Sequence, residues 1–239
     1  MIKLENFEVM GWEHAIRGMR NPMNSWEKTD SRFNINCDLI ACDECPTRGE
    51  DDCCGKLNIQ TCNIGPNDHN LMMKLAKGGS VHAKYRRMIT VYVDITAPLY
   101  WWKEFDTYKV GTVANSCSTM HKIHEKEFTL EDFSCEKLLK RSKDCLLYTI
   151  SVLNLYREDF LKAKEGNRSI DPKEYWWQMI QLLPSSYNQR RTVMLNYEVL
   201  TSIYRWRKDH KLDEWREFCK WIEQLPYSEI ITGGNEDDE

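Results

Sequence analysis

Asn196 and Arg207 lie eleven residues apart, with Leu200 and Ile203 between them. If one helix carries both, eleven residues make about three turns, and the two polar side chains leave the same face roughly 16 Å apart along the axis. An apolar stripe interrupted by an amide and a guanidinium is costly unless each meets a polar partner. The bland alternative is an arginine whose stem packs while its head reaches water. The pairing and its spacing favour a bound ligand as the partner. Arg205 lies about 180° round the same helix from Asn196, so it leaves the other face.

Two further segments carry chemistry-bearing residues. Gly111-Thr-Val-Ala-Asn-Ser-Cys-Ser118 is small and polar, with little to pack, and Lys109 just before it supplies a cation. Such a stretch after a bulky aromatic helix suits a ligand loop. Cys117 within it has no adjacent base to activate it as a nucleophile. His82 stands in Gly79-Ser-Val-His82, where a single histidine is more often a structural hydrogen-bonding residue than a catalytic one.

The elements that must position these residues follow from patterning. Residues 1–35 are mixed, with a turn at Asn21-Pro22. Pro66 to Lys77 reads as a helix capped by Asn67 or Asp68 and stopped by Gly78-Gly79. Ile89, Val91, Val93 and Ile95 alternate with polar residues, the period of a half-buried strand. Pro98 then opens a helix through Trp101, Trp102 and Phe105. Gly111 to Ser118 reads as a ligand loop. Ser134 to Glu165 reads as one long helix, or two with a break, closed by Gly166. Further helices follow from Asp171-Pro172 to before Pro184, from about Arg191 to Lys208, and from Asp213 to Gln224.

Of the ten cysteines, six fall between Cys37 and Cys62, in a segment 36–65 that reads as an insertion or long loop. Cys42-x-x-Cys45 followed by Cys53-Cys54 could supply a tetrahedral thiolate set, but the second pair is adjacent rather than spaced. The favoured reading is a loop with reduced thiols and no metal. The net charge of −4 gives no basic field for nucleic acid or an anionic membrane, so any anionic ligand must be held by a few local groups. The first residues lack the basic and apolar regions of a signal peptide, and no apolar run reaches the ~20 residues of a membrane span. A cytoplasmic protein is expected, with one domain over 1–232 and an acidic, disordered tail over 233–239.

Three stretches resemble the flavin-dependent thymidylate synthases, in the right order and at nearly the right spacing. Gly79-Ser-Val-His82, the strand after it and Ala97-Pro98 resemble the family's GHxS/T segment, strand and AP-initiated helix, which puts His82 on the active-site histidine. Thr107-Tyr-Lys109-Val-Gly-Thr112-Val-Ala-Asn115-Ser-Cys-Ser118 stands where the family has RHRxxSxNExS. Leu183-Pro184, Asn196, Arg207 and His210 resemble its LP turn, flavin-contacting Asn and nucleotide-contacting Arg. The departures are as plain: Thr107-Tyr108-Lys109 replaces RHR, Ser116 replaces the acid after the motif Asn, and Met120 replaces the Arg after the motif Ser.

The resemblance implies an α+β fold with a central, mostly antiparallel sheet and flanking helices. It implies FAD as cofactor, dUMP as substrate, methylenetetrahydrofolate as one-carbon donor, NADPH as reductant, and a homotetramer whose active sites each draw on several subunits. Arg207 and Ser118 would act on the nucleotide; His82, Lys109, Asn115 and Asn196 would hold the flavin. A relative modifying another pyrimidine nucleotide, and a non-catalytic nucleotide-binding protein of the same fold, are the alternatives.

Overall fold

The structure, a computed structural model, describes residues 2–34, 61–167 and 170–233. In chain order its main elements are β1 (Lys3–Met10), α1 (Trp12–Arg20), β2 (Arg32–Asn34), β3 (Thr61–Asn63) and α2 (Pro66–Lys77). There follow β4 (Thr90–Pro98), α3 (Leu99–Phe105), β5 (Val113–Ser116), α4 (Lys140–Lys164) and α5 (Pro172–Leu182). The chain continues with β6 (Asn188–Asn196), α6 (Tyr197–Arg207), α7 (Asp213–Ile222) and α8 (Glu229–Thr232). The candidate thiolate set Cys42, Cys45, Cys53 and Cys54 lies outside the described residues, as does the tail after Gly233.

The fold is mixed α+β, and its four-stranded sheet is antiparallel throughout, in the order β1-β4-β6-β5. β4 forms its centre because Val91, Val93, Ile95 and Ala97 are buried on one face while Tyr92, Asp94 and Thr96 alternate onto the other. The buried face packs on α3, whose Trp101, Trp102 and Phe105 are all within 1% of full burial. Trp101 lies 4.7 Å from Trp215 and 5.0 Å from Phe105, centroid to centroid. Such ring pairs are worth about 0.5–1.5 kcal/mol each beyond their buried area. A second, smaller cluster joins Leu146, Ile150, Leu153 and Phe160 of α4 to Met179 of α5.

Several sequence expectations need correction. The helix expected from Arg191 to Lys208 is strand up to Asn196 and helix only from Tyr197. Val193 and Leu195 alternate into the core opposite Val93 and Val91, so tertiary pairing fixes a period of two there. Gly111 to Ser118 is not a loop throughout: Val113–Ser116 pairs as an edge strand with Met194 to Arg191. The long helix begins at Lys140 rather than Ser134. The described part of the segment 1–35, read as mixed, holds two strands and a nine-residue helix. Nor do Asn67 or Asp68 cap α2. Its N-cap is Gly65, and the Asp30 carboxylate accepts from the Asn67 and Asp68 amides at 2.9 and 3.1 Å.

Candidate functional site

At Asn196 the chain is still extended, with φ −127°, and the side chain turns back to accept from the Val199 amide at 3.0 Å. An asparagine in this N-cap role satisfies one of the helix's orphan donors and fixes where α6 starts. Its amide nitrogen is left without a hydrogen-bond partner among the described residues. Arg207 closes the same helix. Its Nε donates to the Tyr108 hydroxyl at 3.0 Å and its Nη1 to Glu104 Oε2 at 2.8 Å. The guanidinium lies over the Trp215 ring at 4.8 Å and near that of Tyr108 at 5.7 Å, which adds cation–π attraction. Arg205 projects elsewhere, onto the exposed ring of Trp206.

The Tyr108–Thr112 segment runs between the two ends of α6. Tyr108 touches Arg207, and Gly111 lies against Asn196: a Cβ at Gly111 would come within 2.8 Å of Asn196 Nδ2. The residue also has φ +79°, so a side chain there is excluded by backbone strain and by space together. Beside it opens a cavity of about 280 Å³ lined by Phe105, Asp106, Tyr108, Lys109, Thr112 and Ala114. Thr112 Oγ1 is enclosed, with no hydrogen-bond partner among the described residues. Asp106 is engaged by Arg191 at 2.7 Å, and Arg191 in turn covers Trp102 at 4.1 Å. Lys109 is exposed and has no carboxylate partner among the described residues.

Lys109 at the cavity, and Asn196 and the remaining edge of Arg207 at the two ends of α6 outside its lining, carry unused donors, whereas the Thr112 hydroxyl is an enclosed orphan. This set fits the carbonyl and anionic oxygens of a flavin or a nucleotide. The space fits a fragment of FAD rather than the whole molecule, so the rest would lie across other surfaces.

The other candidates lie apart within one chain. Asn115 is opposite Thr192, and Thr192 Oγ1 donates to Asp94 on the uncovered sheet face, whereas neighbouring Ala114 faces the cavity. Hydrogen bonds from Asn6, Thr192 and Arg190 hold the Asp94 carboxyl well below the usual range. Ser118 follows Cys117, whose amide donates to the Arg190 carbonyl, so Ser118 lies toward the end of β6 opposite Asn196. Its hydroxyl accepts from the His121 amide at 2.9 Å. His82 is exposed in the turn after α2, on a groove of about 1170 Å³ that Lys74, Lys84, Leu71 and Tyr85 also line.

Glu104, Tyr108 and Trp215 are the contacts that sequence reasoning missed. Glu104 is a lone carboxylate in the aromatic run Leu-Tyr-Trp-Trp-Lys-Glu-Phe105, a signal that could have marked it.

No protein-family model and no curated protein matches the sequence. Among solved structures, the chain is similar to thymidylate synthase X (ThyX) of Helicobacter pylori with FAD and dUMP. The TM-score is 0.60, at 14% identity over 99% of this chain and 98% of that one. A second structure, the flavin-dependent thymidylate synthase ThyX of the same organism complexed with FAD and dUMP, gives a TM-score of 0.57 at 14% identity over the same shares. The likeness establishes the fold, which spans the whole length of both chains.

Proposed function

We propose that this chain is a divergent flavin-dependent thymidylate synthase that binds FAD and methylates dUMP at C5, with methylenetetrahydrofolate and NADPH as co-substrates. The observation that carries the reading is α6, with a capping Asn196 at one end, Arg207 at the other, and the Tyr108–Thr112 segment packed along it. The solved structures that share the fold hold FAD and dUMP, which supports the same ligand classes here.

Arg207 donates to a pyrimidine oxygen, where negative charge develops as C5 becomes nucleophilic. Tyr108 and Glu104 hold the guanidinium in place, so little reorganisation accompanies that charge. Lys109 meets an anionic oxygen, and Asn196 meets a polar edge of the flavin. Bound and reduced, the flavin supplies the hydride. Ser118, Asn115 and His82, none of which contacts Arg207 among the described residues, belong in this reading to sites completed by other copies in a homotetramer. Cytoplasmic location is part of the same proposal, and among the described residues no helix is long and apolar enough to cross a membrane.

Modification of another pyrimidine nucleotide is the second reading. Thr107-Tyr108-Lys109 in place of the family's RHR favours it, because residues that would contact the flavin or the nucleotide are exchanged.

Flavin titration tests the shared part of both readings. Apoprotein is expected to quench FAD fluorescence saturably, with affinity reduced by about 1–3 kcal/mol for each charge-assisted contact that the RHR replacement removes. An absence of quenching at millimolar protein would overturn both and leave a nucleotide-binding protein without flavin chemistry.

A further inference from the structure

Glu104 stands where the charges of the site meet. Its Oε2 accepts from Arg207 Nη1 at 2.8 Å and from Trp215 Nε1 at 3.0 Å, and His210 Nε2 lies 3.6 Å away. The Leu212 amide donates to His210 Nδ1 at 3.2 Å, so the ring proton sits on Nε2, facing the carboxylate. Arg207 Nε is taken by the Tyr108 hydroxyl. Of the guanidinium nitrogens, Nη2 alone has no protein partner among the described residues. An arginine compensated in this way attracts a phosphate dianion far less than a bare one, yet its remaining N–H groups still donate to a neutral carbonyl. Arg191, which reaches Asp106 of the cavity wall, is compensated as well by that pairing. Among the cavity's lining residues, that leaves the ammonium of Lys109 as the uncompensated cation.

Building on the reading that Arg207 meets the pyrimidine, we infer that Glu104 is a positioning residue that sets the charge preference of the site. It reserves Arg207 for an uncharged pyrimidine carbonyl and leaves the phosphate to Lys109. A glutamine at position 104 keeps an acceptor for Arg207 and Trp215 but removes the charge, so it separates the electrostatic role from a merely structural one.

The test compares dUMP with deoxyuridine, which lacks the phosphate, by calorimetry at low salt. Glu104→Gln is expected to tighten dUMP binding about tenfold while deoxyuridine changes by less than about twofold. Lys109→Gln, a change at an exposed side chain that leaves the core intact, is expected to bring the two affinities within about twofold of each other. An unaltered dUMP-to-deoxyuridine ratio in Glu104→Gln would overturn the inference, and so would a dUMP preference that survives Lys109→Gln. The underlying reading fails in a different way: wild type binds neither ligand, or Arg207→Ala binds both as tightly as wild type. Either result removes the inference along with the reading it builds on.

Discussion

Asp68→Ala is expected to lower the stability of the fold by about 3–5 kcal/mol, the usual cost of breaking a buried ion pair from one side. Asp68 has no exposed surface and Arg20 only 4%. Its Oδ1 accepts from Arg20 Nε at 2.7 Å. Its Oδ2 accepts from the Thr29 hydroxyl at 2.7 Å, the Ser31 hydroxyl at 2.6 Å, and the Asp30 and Ser31 amides at 3.1 and 3.0 Å. Arg20 also donates to the Ser25 and Lys28 carbonyls. One carboxylate thus ties α1, α2 and the 25–31 connection together. Without it the guanidinium stays buried with no countercharge, and four other donors lose their acceptor.

The same group sets an acid limit. Burial alone would raise the Asp68 carboxyl, but hydrogen bonds from Ser31, Thr29, Arg20 and the Asp30 amide outweigh it and hold the group below its ordinary value. A carboxyl lowered in the folded state contributes stability that is fully present above its unfolded value of about 3.9 and is lost as pH falls through the folded value. Thermal melts from pH 7 downward should therefore lose Tm in wild type below about pH 4 more steeply than in Asp68→Asn. Parallel profiles, or an Asp68→Ala variant as stable as wild type, would show that the network is not what secures α1 on α2.

Arg207→Ala is expected to weaken dUMP binding by about 2–4 kcal/mol, and Arg205→Ala by less than about 0.5 kcal/mol. The two arginines are two residues apart on α6 and differ in face. Arg207 is tied to Glu104 and Tyr108 beside the cavity, whereas Arg205 stacks on an exposed tryptophan. Circular dichroism controls for folding, because Arg207 also covers the Trp215 ring. Equal losses, or a larger one at Arg205, would mean that the nucleotide is not bound at this end of α6.

How much of this was legible in the sequence varies with how far each element depends on remote partners. β4 was readable because its alternation is complete and one face is buried along its length. β1 was not: it is an edge strand with most of its residues exposed, and its pairing slips between Glu5 and Glu8, so no period survives. β5 has four exposed residues, Val-Ala-Asn-Ser, and becomes a strand only through β6. In the sequence β6 merges with the helix after it, because Val193 and Leu195 run into the apolar stripe of Leu200 and Ile203 with no Gly or Pro between them. Asn196 was visible as a polar interruption, but its N-cap role needs the extended φ that the sheet imposes.

At the site, Asn196, Arg207 and Lys109 could be named from type and spacing. The Glu104 contact could not, since it joins residues 103 apart in the chain. Nor does spacing reveal that Ser118 follows β5 toward the Arg190 end of β6, away from Asn196, since that depends on the β5–β6 register.

In the proposed reaction the site carries out C5 chemistry on a pyrimidine nucleotide with flavin. Tritium release from C5-labelled dUMP tests it most directly, measured with FAD, methylenetetrahydrofolate and NADPH all present and with each left out in turn. Release is expected to require FAD and to fall by about 30- to 1000-fold in Arg207→Ala, the kinetic equivalent of its expected loss. Release that persists without flavin, or none in the complete mixture with FAD bound, would contradict it.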